Sequence, residues 1–75
     1  MVAAENKIQK IYFDNDFIYI EIEGQTIKKN LESLSSKLKS ATALQRNSFK
    51  ISPSGYGIHW YLIDEDLSIA AMLKN

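Results

Sequence analysis

The sequence predicts an α+β fold: a small antiparallel sheet, made of a three-stranded meander plus a further strand, packed with two or three short helices. Three observations lead there. Apolar residues alternate with polar ones from Gln9 to Lys28, leucines then fall at helical spacing from Leu31 to Leu38, and a strand-like segment around Trp60 runs into a short apolar helix pattern. The 75 residues are read as one domain, 1–75, because a chain this short buries only roughly 60% of the surface its unfolded form exposes. Residues 1–7 lie outside the periodic pattern and are expected to form a flexible N-terminus.

Gln9, Ile11 and Phe13 alternate with Lys10 and Tyr12, which predicts a first strand ending at the turn residues Asp14-Asn15-Asp16. From Phe17 to Glu23, Ile18, Ile20 and Ile22 share one face while Phe17, Tyr19, Glu21 and Glu23 share the other. Glu23-Gly24 supplies a glycine where a two-residue hairpin loop needs positive φ, and that loop sets Ile20 opposite Ile27. Ile27 therefore joins the isoleucine face, and Thr26 and Lys28 look outward.

After Asn30 the period becomes helical, with Asn30 placed to cap and Ser35-Ser36 weakening the middle, so a short or broken helix is expected. Thr42 and Gln45 form a T-x-x-Q capping box that starts a brief second helix. Phe49, Ile51, Pro53 and Gly55 restore an extended and then turning chain, and Ile58 with Trp60 forms the further strand. Ser68 would cap a last helix whose Ile69, Met72 and Leu73 close the core.

Composition is that of an ordinary soluble globular chain, with 45% hydrophobic and 24% charged residues. No cysteine is present, so disulfides and thiolate zinc sites are excluded. Met1 to Lys10 lacks the apolar core of a secretory signal and no apolar run is long enough to span a bilayer, so a cytoplasmic location is expected. The formal net charge is zero, which argues against a general nucleic-acid binder. Residues 28 to 50 nevertheless hold Lys28, Lys29, Lys37, Lys39, Arg46 and Lys50 against Glu32 alone, and acidic flanks compensate. That stretch is either a solvated helical surface or a basic face.

The candidate functional residues cluster late: Tyr56, His59, Trp60, Asp64, Glu65 and Asp66. Trp60 is a core or rim anchor, or a partner contact. Strand alternation sends His59 to the opposite face, exposed. A lone histidine has no second imidazole or thiolate for a transition metal, and nothing in the spacing supplies a nucleophile, so no catalytic residue, metal or cofactor is assigned. Asp64-Glu65-Asp66 has too few donors for a calcium loop. The triplet is read as helix-terminal carboxylates, with Asp66 or Ser68 capping and Glu65 solvated, or as an acidic contact for a basic partner. Gly55-Tyr56-Gly57 is a turn that lets Tyr56 pack.

Laid out in full, residues 8–74 resemble the bacterial family known as domain of unknown function 2442, in its short stand-alone branch. The resemblance rests on Glu23-Gly24-Gln25, on Ala41-Thr42-Ala43-Leu44-Gln45-Arg46, and above all on Gly57-Ile58-His59-Trp60 with Asp64-Glu65-Asp66-Leu67-Ser68-Ile69. Tyr61 and Ala43 stand where prolines are common. The resemblance implies a small α+β domain with no known enzymatic activity. It also implies a partner encoded by an adjacent gene, often of the domain of unknown function 4160 family, in an arrangement that has invited a toxin and antitoxin interpretation. Other relatives are fused to helix-turn-helix domains, and no such domain is expected within these 75 residues.

A non-enzymatic protein-interaction domain is therefore the leading expectation. Accessory nucleic-acid binding through residues 28 to 50, and small-molecule or metal sensing, are the alternatives. Homodimer formation through an exposed edge strand is a further expectation, because Phe17 and Tyr19 on the outer face would leave apolar surface to cover.

Overall fold

The computed structural model describes residues 8–74, so the expectation for residues 1–7 lies outside the described part. Six strands and four short helices follow in the order β1 (Ile8–Phe13), β2 (Phe17–Ile22), β3 (Gln25–Asn30), α1 (Leu31–Leu34), α2 (Ser36–Ser40), α3 (Ala43–Arg46), β4 (Lys50–Ile51), β5 (Gly57–Trp60), β6 (Glu65–Ser68) and α4 (Ile69–Lys74). The α+β class holds, with the strands divided between two three-stranded antiparallel sheets, β1-β2-β3 and β4-β5-β6. The further strand expected at Ile58 and Trp60 is β5, the centre of the second sheet, and β4 and β6 flank it. None of the described helices is long and apolar enough to cross a membrane.

In the first sheet the isoleucine face decides the register. Ile20 lies opposite Ile27, as the two-residue loop requires, and Ile18, Ile20, Ile22 and Ile27 are all buried. Gly24 takes φ +84° while Glu23 stays out of the left-handed region, the sign pattern of a type II turn. β1 departs from strict alternation. Its register shifts between Ile8 and Lys10, so Ile8 and not Gln9 packs against the core with Ile11 and Phe13.

The helical middle breaks at Ser35, whose extended backbone ends α1 and caps α2 through Leu38 N–H donating to its Oγ at 3.2 Å. Asn30 caps α1 by accepting from Glu32 N–H at 2.8 Å. The capping box of α3 is complete: Gln45 N–H donates to Thr42 Oγ1 at 3.1 Å, and Thr42 N–H donates to Gln45 Oε1 at 2.9 Å.

One core joins the sheets and helices, with Leu31, Leu38, Ile58, Trp60, Ile69 and Met72 buried beside the four isoleucines. Leu73, expected to face this core, is 46% exposed. Ile69 and Met72 lie on one side of the helical stripe and take the central contact, which leaves Leu73 on the rim in so short a helix. The Ile8 amide donates to Gly55 O at 3.0 Å, and Ile69 N–H donates to Tyr56 O at 2.9 Å. The loop before β5 thus fastens both β1 and the start of α4.

Candidate functional site

The second sheet presents two rows of cross-strand neighbours. Ile51, Ile58 and Leu67 share one face, and Lys50, His59 and Asp66 share the other. Beside them the chain turns at Ser52 and Pro53, and β6 runs directly into α4. An open groove of about 680 Å³ forms there, with Ile51, Pro53, Ile58, Leu67 and Ala71 as its apolar lining and His59, Asp66 and Lys50 as its charged or ionisable groups. That size lies in the range of small-ligand clefts and of grooves that seat a short peptide segment. A Cβ at Gly57 would stand 3.4 Å from Ser52 Oγ, within ordinary contact.

His59 is oriented by Asp66: the imidazole Nδ1 and the carboxylate Oδ1 lie 2.7 Å apart, with the side chains 44% and 75% exposed. Nε2 remains available to give or take a hydrogen bond from a group lodged in the groove. Ser68 shares the face of His59, but its Oγ accepts from Ala71 N–H at 3.1 Å, and Ser52 Oγ accepts from Gly57 N–H at 3.0 Å. Among the described residues no hydroxyl is hydrogen-bonded to His59, and no group of three or more His, Cys, Asp or Glu side chains is placed to share a metal ion.

The remaining candidate residues separate from this pair. Trp60 is fully buried, its Nε1–H donating to Arg46 O at 2.9 Å and its ring packed edge-on to Phe13 with centroids 6.4 Å apart. It is a core anchor, and its ring offers no surface to a partner. Glu65, expected to be solvated, pairs across the sheet with Trp60 and so points inward, where its Oε2 accepts from the buried Ser35 hydroxyl. Asp64 sits in the β5–β6 turn at φ +54°, and its carbonyl accepts from Lys37 Nζ at 3.0 Å. The triplet therefore does not stand at a helix N-terminus: residues 65–68 are strand, Ser68 alone caps α4, and Asp66 is spent on His59. Tyr56 is half-buried in the loop that fastens α4.

The basic stretch is also redistributed. Arg46 donates to four carbonyls, from Nε to Leu38, from Nη1 to Asp14, and from Nη2 to Asn15 and Lys39. Lys39 pairs with Asp16 at 2.6 Å, and Lys28 stands 4.4 Å from the Phe17 ring centroid. These cations serve intramolecular contacts. On the outer face of the first sheet Tyr12 stacks on Tyr19 with centroids 5.0 Å apart, and Tyr19 Oη donates to Asp14 Oδ2 at 2.6 Å. That bond, with the Phe17 and Asp16 amides, holds the Asp14 carboxyl below its ordinary pKa, and it raises the Tyr19 phenol.

Sequence reasoning named His59 and Asp66 but not their pairing, and missed Ile51, Pro53, Leu67 and Ala71. A hairpin register centred on residues 62 and 63 places residue 59 opposite 66, and this is the signal that could have joined them. The family model described as Protein of unknown function (DUF2442) matches residues 8–75. No curated protein and no solved structure matches the chain.

Proposed function

The chain belongs to the DUF2442 family, and from that premise we propose that it is a non-enzymatic interaction domain whose second sheet docks a small protein encoded beside it. The observation that carries this reading is the open apolar groove bordered by β4, β5, β6 and α4, with the His59–Asp66 pair at its edge. An apolar segment of the partner would displace water from Ile51, Pro53 and Leu67, and His59 Nε2 would fix its register by one hydrogen bond. Restraint of the partner in the manner of an antitoxin, and a partner of the domain of unknown function 4160 family, are the finer form of the proposal and rest on the resemblance.

Co-expression with the adjacent gene product, followed by affinity capture, tests it. A stoichiometric complex is expected from the native chain, with at least roughly tenfold weaker capture for Ile51→Glu or Ala71→Arg, which place charge or bulk in the groove at exposed positions. No complex, or a complex indifferent to both substitutions, rejects the groove as the docking site.

A further inference from the structure

The hydrogen-bond phase of the first sheet leaves the outward groups of β3 unpaired. β2 and β3 keep an unbroken register from Phe17 opposite Asn30 to Ile22 opposite Gln25. The next pair outward is bonded as well, Leu31 N–H donating to Asp16 O at 2.8 Å. Bonded and non-bonded pairs alternate along an antiparallel ladder. Counting back from Leu31, the residues Lys29, Ile27 and Gln25 bond inward to β2, and Asn30, Lys28 and Thr26 aim their N–H and C=O groups away from the sheet. The Asn30 carbonyl is taken by Ser33 Oγ at 3.3 Å. Among the described residues nothing bonds the backbone of Thr26 or Lys28 on that side.

The other edges are shorter, bulged or already engaged at one end. β1 receives Gly55 O at its first amide. β4 is two residues long and Pro53 follows shortly after, while β6 runs into α4 with the Asp64 carbonyl and Glu65 carboxylate already held by Lys37 and Ser35. On β3 both charged residues are lysines. Lys28 is held over the Phe17 and Tyr19 rings on the outer face, and Lys29 lies on the inner one. Pairing with a second copy would bring the lysines of both strands to one seam with no carboxylate on either, which disfavours that occupant.

We propose that β3 is a strand-addition site for an extended, acidic segment of a partner protein. The segment's backbone takes the outward groups of Thr26 and Lys28, and its carboxylates pair with Lys28 on one face and Lys29 on the other. The site lies on a different sheet from the groove and stands independently of it.

The test is an amide-resolved NMR titration of the full chain with a capped peptide that carries two adjacent glutamates flanked by valines, which puts one carboxylate on each face of the added strand. The Thr26 and Lys28 amides are expected to shift and to exchange more slowly, and the double substitution Lys28→Glu, Lys29→Glu is expected to weaken binding roughly tenfold or more. Thr26→Pro removes one outward donor without breaking the ladder to β2 and should abolish binding. Should that variant not fold, N-methylation of the peptide amides that face β3 gives the same result with the protein unaltered. The proposal is overturned if the peptide causes no shifts, or if shifts are confined to groove residues such as Ile51 and Leu67. Equal binding of a lysine–valine peptide or of the N-methylated peptide overturns it too. So does movement of the same amides on raising the protein concentration alone, which would assign the edge to a second copy, or their equal response to a single-stranded oligonucleotide.

Discussion

Arg46 shows how far a residue's role can lie from its local context. In the sequence it is one of six cations in a basic stretch. In the folded chain its guanidinium reaches the carbonyls that end α2 and those of the β1–β2 turn, and its own carbonyl receives the Trp60 indole. A planar fork suits such divergent acceptors, and an ammonium cannot span them. Arg46→Ala should cost about 1–2 kcal/mol, with Arg46→Lys recovering less than half, because the part-buried Leu38 and Lys39 carbonyls lose a charge-assisted donor while the exposed Asp14 and Asn15 carbonyls turn to water. Denaturant melts measure this, and a lysine variant as stable as the native protein contradicts the clamp. Arginine type and position were legible; the acceptors were not, since they come from residues 7 to 32 positions away in the chain.

At the level of elements, local chemistry was readable wherever a signal completed itself within a few residues. The capping box, the Asn30 cap and the Gly24 hairpin are of this kind. Gly24 makes the point quantitatively. A methyl group there would meet nothing within 4 Å, yet φ is +84°, so Gly24→Ala should cost about 1 kcal/mol from backbone strain alone. Gly57→Ala should cost less, since its backbone is ordinary and the Ser52 hydroxyl can yield. Thermal melts that rank the two the other way would show that crowding, not φ, dominates. β6 escaped notice because Asp and Glu are poor strand residues and a carboxylate triplet before a serine reads as a helix start. The β1 bulge was invisible for a related reason: one extra residue reverses the alternation on which the pattern depends.

Across the whole molecule nine basic and nine acidic residues cancel, and the exposed Asp14 contact contributes to the response to pH. Asp14 has a native pKa below its unfolded value, so its contribution is complete above the ordinary value of 3.8 and is lost as pH falls through the lower native one. Stability should therefore decline on acidification through that window, and Asp14→Asn should be less stable at neutral pH while losing part of the acid dependence. Melting curves that stay parallel for native and variant down to the acid limit would contradict this. The contact is exposed, so added salt should shrink the difference. From the residue order alone came the α+β class, the meander with its β2–β3 register, the caps, and the separation of His59 from Trp60. All of these are set by contacts close in the chain or by period-two and helical spacing. The division into two sheets, the pairing of His59 with Asp66, the inward turn of Glu65 and the groove that joins β4 to α4 emerged only on folding. They depend on which distant segments share the core around Trp60, and a linear pattern carries no term for that.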